Sequence, residues 1–286
     1  MTRGGAMNGR PRAFRLLDTG ARDAFFNMGL DEAILMQVGA GESPPTVRFY
    51  GWERPTVSIG YFQRARRDVD MGEIARRGYR LVRRMTGGRA VLHDRELTYS
   101  VAVPAGHPLA ASSVAESYRA LSLALQEGFR ALGLEAKIVS PAGPDERAEF
   151  RPSGSAACFD SPSRYELAVN GRKIAGSAQV RAHGGMLQHG SLVLDLDAGG
   201  LFSVLLFRSP EERARALLAF AERAAGVRQL GGRDVSYREA AGAFAAGFAA
   251  GLRADLRMSA PTPAEVRLAS ELAVEKYAAD EWTHRR

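Results

Sequence analysis

Apolar residues recur along the chain in alternating helical and strand-like blocks. From Asp23 to Val38 the run DAFFNMGLDEAILMQV places Phe26, Leu30, Ala33 and Ile34 at helical spacing, with Gly39 and Gly41 behind it, and predicts a first amphipathic helix. Short runs rich in β-branched and aromatic residues follow: TVRFY (46–50), TVSIG (56–60), YRLVRR (79–84) and LTYSVAV (97–103). Gly, Pro and Asp punctuate them, so they read as strands of one sheet. Ser113 with Glu116 forms a capping box ahead of an apolar-periodic stretch that ends at Gly133, which predicts a helix over 114–132.

AKIVS (136–140) returns to strand, and the Pro-, Gly- and charge-rich stretch 141–155 reads as a mobile loop leading to Cys158. Beyond it, RYELAV and RKIAGSAQ are joined by Asn170-Gly171, the strongest short hairpin signal, and MLQHGSLVLDLD supplies a further strand. Cys158, Lys173 and His189 are thereby expected on neighbouring β structure. The remainder reads as helical, because Ser209, Ser236 and Thr262 each stand three residues ahead of a Glu. The pattern describes an α+β fold with a mixed, partly antiparallel sheet flanked by helices. Its expected parts are a disordered tail over 1–14, a catalytic domain over 15–258 and a C-terminal helix over 259–286 packed on that domain. Met7 offers a second start within the tail.

No apolar stretch is long enough to span a bilayer, and the first residues lack a hydrophobic export signal, so a cytoplasmic protein without membrane contact is expected. The 39 basic against 32 acidic residues favour an acidic partner. Nucleic acid is not that partner, because the charges are dispersed and no aromatic-interleaved basic run appears. Three of the basic residues are Lys (Lys137, Lys173 and Lys276) and the rest Arg, so a retained Lys invites a reason.

Three segments can carry chemistry. In RRMTGGRAVLHD, Arg83, Arg84, Thr86, Gly87, Gly88, Arg89 and His93 surround a Gly-Gly turn where a ligand can approach the backbone and arginines can meet an anionic or polar group. In KIAGSAQ, the small residues Gly176, Ser177 and Ala178, followed by Gln179, leave space beside Lys173, while His189 and Gly190 border the next strand. The third segment, SAACFDSPS, holds Cys158, the single cysteine. One thiol excludes an internal disulfide and leaves inert packing or reactivity, and its polar surroundings favour reactivity. With Lys173 about 4 Å from the sulfur, the attraction is worth ~4 kcal/mol at an effective dielectric near 20. Desolvation takes back part of that, and the remainder suffices to raise the thiolate from a few per cent to about half at neutral pH. Lys, unlike Arg, can also release its proton. No histidine pair has metal-ligand spacing, and no metal or cofactor is expected.

In this order, RRMTGGRAVLHD, GRKIAGSAQ and LQHGSLVLDLD resemble the lipoate-protein ligase and biotin-protein ligase superfamily over roughly residues 16–258. TGGRAVLHDRELTYS and ACFDSPSRYELAVNGRKIAGSAQ look most like its Gram-positive-type octanoyltransferase branch. That resemblance implies octanoyl-acyl carrier protein as donor and the glycine cleavage H protein, or another lipoyl-domain protein, as acceptor. It implies Cys158 as the acyl-thioester nucleophile and Lys173 as the residue that lowers its pKa; thioester exchange is close to isoenergetic, so no ATP is expected to be needed, and a monomer is expected. An apolar tunnel floored by Gly87, Gly88 and the small residues of KIAGSA is then expected to hold the acyl chain. Two departures are expected to set the chain apart from ATP-dependent ligases of similar fold: Arg89 stands where they usually have Gly, and no accessory domain is expected after DEWTHRR. The alternatives are such a ligase, an amidotransferase moving octanoyl between carriers, and a noncatalytic acyl-carrier-binding module.

Overall fold

A computed structural model describes residues 12–139 and 166–285. Cys158 and the 141–155 loop lie outside the described residues. The architecture is α+β, with a six-stranded mixed sheet in the order β10-β11-β6-β2-β1-β12. Its strands are β1 (Arg12–Arg22), β2 (Thr46–Trp52), β6 (Glu96–Pro104), β10 (Ala175–Ala182), β11 (Gly185–Val193) and β12 (Ala254–Ser259). β1 pairs in parallel with both β2 and β12, whereas β2, β6, β11 and β10 pair antiparallel in succession.

Three expectations change here. β1 begins at Arg12, so residues 12–14 are strand and not tail. The C-terminal part is not wholly helical, because Ala254–Ser259 closes the parallel edge of the sheet. The four early strand runs do not share a sheet: β3 (Thr56–Ile59), β4 (Arg80–Arg83) and β5 (Val91–His93) form a separate three-stranded sheet. The second sheet has its own core, in which Val57 and Ile59 pack with Val69, Phe202, Val204 and Phe220. Strand-like composition specifies a half-buried pleated surface but not the pairing partner.

The alternation along the main sheet separates two faces. Phe14 and Leu16 of β1, and Leu97, Tyr99, Val101 and Val103 of β6, share one core with α2 (Val114–Ala131) and α4 (Tyr237–Leu252). These two helices approach so closely that a Cβ on Gly128 would lie 2.2 Å from the Phe244 ring. Leu17, Ala102 and Leu187 point to the opposite face, onto α1 (Ala24–Gly39) and Ala269 of α5 (Pro263–Leu272). Among the described residues the remaining long helix is α3 (Pro210–Arg223), and the Ser113, Ser209, Ser236 and Thr262 hydroxyls each accept the expected bond from the N–H of the Glu three residues on. After α5 the chain makes a π-helical turn (Ala273–Tyr277) and a short helix (Asp280–Thr283), so the expected single C-terminal helix is broken in two.

The first helix is not amphipathic in the usual sense, because Asn27, Asp31 and Glu32 are as buried as Leu30, Ala33 and Ile34. The sheet face it covers carries Arg48, Ser100 and His189 beside Leu17, Ala102 and Leu187, and Asp31 meets all three of those polar groups. Among the described residues no helix is long and apolar enough to cross a membrane.

The third sheet joins β7 (Lys137–Val139), β8 (Glu166–Val169) and β9 (Arg172–Lys173). Asn170 and Gly171 both adopt the positive φ of a tight primed turn, as the Asn-Gly pair predicts. The strand expected as one run, RKIAGSAQ, is divided at Ile174: β9 stays with the hairpin and β10 joins the main sheet. Lys173 is thus carried directly to the edge of the larger sheet.

Candidate active site

A cavity opens where the six-stranded sheet meets the β4-β3-β5 sheet, lined among others by Met28, Tyr50, Trp52, Val91 and Ala178. Of the residues singled out in the sequence, Arg84, His93, Gly176, Ser177, Ala178, His189 and Gly190 line it. The β10–β11–β6 register explains this convergence: Ala178 lies opposite His189, which lies opposite Ser100, and Gly176 lies opposite Ser191, which lies opposite Thr98. Residues directly paired across a sheet share a face. The small residues of β10 therefore leave the space that the cavity occupies.

The next residues along β10 point the other way. The Ser177 hydroxyl lies 2.8 Å from Tyr99 Oη, and Gln179 donates to Gln188 (3.2 Å) and to Ser117 (3.0 Å). Gln179 is thus separated from the cavity, and Ser177 borders it with its hydroxyl engaged elsewhere.

Two buried carboxylates hold the cavity's polar floor. Asp31 accepts from Arg48 Nη1 (2.8 Å), Ser100 Oγ (2.8 Å) and Tyr50 Oη (2.9 Å), and lies 3.1 Å from His189 Nδ1. Burial pushes its carboxyl up, but the Arg48 charge and the bonds from His189 and Ser100 outweigh that and hold it below the usual carboxylate range. Burial also lowers the His189 pKa against the pull of Asp31, which favours the neutral ring. An ionised carboxylate only accepts, so Nδ1 carries the His189 proton, and Nε2 accepts from Thr86 Oγ1 at 2.7 Å. Thr86 therefore acts through His189.

Glu96 makes a parallel arrangement. It accepts from His93 Nδ1 (2.6 Å), Trp52 Nε1 (3.2 Å), and the Thr98 and Ser191 hydroxyls. Burial raises its pKa, and His93 with these bonds brings the balance below the ordinary value. The far nitrogen of His93 is 2.7 Å from Ser58 Oγ, which accepts from Arg84 Nη1 (2.8 Å), and the ring stacks on Trp52 at 4.2 Å. Arg84, Ser58, His93 and Glu96 form one hydrogen-bonded chain beside the cavity.

The arginines before the Gly-Gly turn hold backbone. Arg83, wholly buried, donates to the carbonyls of Gly60, Tyr61 and Gln63 and to those of Trp282 and Thr283, and does not line the cavity. It ties the C-terminal helix to the second sheet, in place of the expected contact with an anionic group. Arg84 donates to the Gly87 and Arg89 carbonyls at 3.0 and 2.7 Å and so shapes the turn from inside. Gly88 has a φ of +96°, and a Cβ there would lie 2.8 Å from Arg84 Nη2, so this position admits only glycine without displacing the guanidinium. Gly87 and Gly88 adjoin Phe62 and Gly60 and do not floor the cavity, and Arg89 is half-buried beside them.

Lys173 is buried, and its Nζ lies 2.5 Å from Glu166 Oε1. The hairpin register sets Lys173 opposite Ala168, and Glu166 is the next residue of β8 on that face. The Lys173 carbonyl accepts from Ala225 N at 2.9 Å, which anchors β9 to the chain after α3. Lys173 stands three residues ahead of Gly176 on the cavity wall.

The site residues that sequence reasoning passed over are Asp31, Glu96, Arg48, Tyr50, Trp52, Ser58, Thr98 and Ser191. Their signal was polar residues recurring at every second position inside strongly apolar strands: Arg48 and Tyr50, then Glu96, Thr98 and Ser100, then His189 and Ser191. A polar stripe on a buried strand needs partners, and here the partners are one another.

Residues 23–249 match the model of the lipoyl protein ligase A/B catalytic domain. The chain is 49% identical to octanoyltransferase LipM of Brevibacillus brevis, across 96% of its own length and 99% of that protein. It is 50% identical to octanoyltransferase LipM of Kyrpidia tusciae, with 96% and 100% covered. Among solved structures, an archaeal lipoylation system from Thermoplasma acidophilum, a bipartite lipoate protein ligase and its E2 lipoyl domain, superposes with a TM-score of 0.78 at 27% identity, covering 96% of each chain. A lipoate-protein ligase A bound with ATP gives 0.74 at 29% identity, with 96% and 98% covered.

Proposed function

The chain belongs to the lipoyl protein ligase A/B catalytic-domain family, and from that premise we propose that it is an octanoyltransferase of lipoate biosynthesis that carries the acyl group on Cys158. Near full-length identity to octanoyltransferases supports the transfer of octanoyl. The observation that carries the site assignment is Lys173, a buried amine on the hairpin that runs straight into the cavity wall at Gly176. The donor is octanoyl-acyl carrier protein, and the acceptor is the lysine of a lipoyl-domain protein such as the glycine cleavage H protein.

In the first step the Cys158 thiolate attacks the donor thioester carbonyl, forming one C–S bond as the donor's C–S bond breaks. The departing thiolate takes the proton of the Lys173 ammonium. One thioester replaces another, so the exchange is close to isoenergetic. In the second step the acceptor's amine attacks, an amide forms, the bond to Cys158 breaks, and the amine proton passes to Lys173, which restores the thiolate and ammonium. Every second main-chain N–H of β10, the terminal strand of its sheet, points away from β11, and those near Gly176–Ala178 are suited to receive the developing oxyanion. The octanoyl chain occupies the cavity between Ala178, Val91 and Met28.

An adenylate-forming ligase would need cations for phosphate at the Arg83–Arg89 turn. Arg83 and Arg84 instead donate to backbone carbonyls, which favours the transferase. The test is octanoyl transfer from acyl carrier protein to a lipoyl domain with ATP omitted. Transfer by the wild type and none by Cys158→Ala is expected; transfer that requires ATP, or that survives the substitution, refutes the reading.

A further inference from the structure

We propose that an arginine-rich turn beside the Gly87–Gly88 loop is the docking surface for the acyl-bearing donor carrier; the inference rests on the two-carrier reading above. The turn Ala65–Asp68 follows Gly60-Tyr61-Phe62 and presents Arg64, Arg66 and Arg67, all exposed and, among the described residues, none paired with a carboxylate. The Asp68 carboxylate is turned inward, accepting from the Arg64 main-chain N–H and the Gln63 amide. Phe62, two residues ahead of Arg64 in the chain, has 67% of its surface exposed. Its ring sits 5.0 Å from Tyr61, over which the Arg285 guanidinium stacks at 4.3 Å. An exposed aromatic residue followed closely by exposed arginines suits a protein partner of opposite charge, because Arg and aromatic residues concentrate at interfaces and complementary charge speeds encounter.

The patch adjoins the site. A Cβ on Gly87 would lie 3.9 Å from the Phe62 ring, and Arg84, which lines the cavity, holds the Gly87 and Arg89 carbonyls. The two carriers differ in what they bring to this entrance. The donor presents its acyl group on a phosphopantetheine arm, which bears a phosphate. The acceptor presents a lysine that is a cation in solution until it sheds a proton and attacks as the amine, and a cluster of arginines repels that cation. The cation cluster therefore fits the donor.

The test reverses the charges in Arg64→Glu/Arg66→Glu/Arg67→Glu, with the neutral triple Ser variant as a second version should the first fail to fold. Binding of octanoyl-acyl carrier protein is measured on a Cys158→Ser background, so that acyl transfer plays no part in the readout. Loading of Cys158 is measured separately from the same carrier and from octanoyl-N-acetylcysteamine, a thioester with neither protein nor phosphate. Carrier binding is expected to weaken about tenfold or more and to lose most of its salt dependence. Loading from the small thioester, and affinity for a lipoyl domain, stay at wild-type level. Unchanged carrier binding, or a loss confined to lipoyl-domain binding, overturns the assignment. Absence of any Cys158 adduct in the wild type sinks the thioester reading while the binding arm still decides the surface.

Discussion

The Lys173 ammonium lies 2.5 Å from Glu166 Oε1 across a two-residue turn, with both side chains nearly excluded from solvent. In the proposed mechanism Lys173 both stabilises the Cys158 thiolate and accepts a proton. Accepting a proton during transfer requires the pair to loosen. Substitutions at Lys173 separate the two duties. Lys173→Met removes one charge of the buried Lys173–Glu166 pair, which costs about 3–5 kcal/mol of stability, and raises the pH midpoint of Cys158 alkylation. Lys173→Arg keeps the charge and the fold, but transfer falls by about a hundredfold or more because Arg does not release its proton. Urea unfolding, alkylation against pH, and single-turnover transfer measure these effects. An active Arg variant would confine Lys173 to electrostatics.

Asp31 and Arg48 form a fully buried ion pair under the cavity floor. Asp31→Asn leaves the Arg48 charge uncompensated, and stability drops by about 3–5 kcal/mol. Adding Arg48→Met to Asp31→Asn restores part of the loss, since an apolar side chain needs no counter-charge. A double variant no more stable than Asp31→Asn would show that Arg48 is held by its other contacts, to Asn27 and Thr19.

Stability against pH has a definite sign. Burial, with the Arg12 charge second, lowers the His107 pKa to about 4, and burial lowers that of His189. For a histidine lowered on folding, the unfolded chain binds a proton first as pH falls, so stability is full above the unfolded value of ~6.5 and declines below it. The His107 share is lost across the interval from ~6.5 to about 4. Asp31 and Glu96 are held low, so their contribution is present above the unfolded carboxylate pKa and is lost at more acid pH as each folded value is passed. The urea midpoint should be level from pH 7 to pH 8 and fall through the mildly acid range, and His107→Asn, which keeps a helix cap, should make that fall shallower. A midpoint that rises on mild acidification would contradict the assignment.

What could be read from the chain beforehand was what neighbours in sequence decide. The Ser113–Glu116 and Thr262–Glu265 capping boxes and the Asn170-Gly171 turn involve residues a few positions apart, and all appear where the sequence placed them. Arg84, His93, Gly176, Ala178 and His189, which meet on one cavity, were legible as candidates because they stand near glycines in two separate segments, the Gly87-Gly88 turn and the strands holding Gly176 and Gly190. Pairing at long range was not. Nothing local to Thr56–Ile59 says that it avoids β6 and pairs with Arg80–Arg83, and nothing near Arg83 says that its donors are taken by carbonyls 200 residues away. Asp31 sat inside a convincing helix pattern, and only the Arg48 and His189 brought to it by the sheet reveal why it is buried.

The central claim is that octanoyl is held covalently on Cys158 between donor and acceptor. Intact-mass measurement after incubation with octanoyl-acyl carrier protein, ATP omitted, tests it most directly. One octanoyl adduct is expected on the wild type, lost on addition of a lipoyl domain and absent in Cys158→Ala. A wild-type chain that remains unmodified while octanoyl still reaches the lipoyl domain would contradict it.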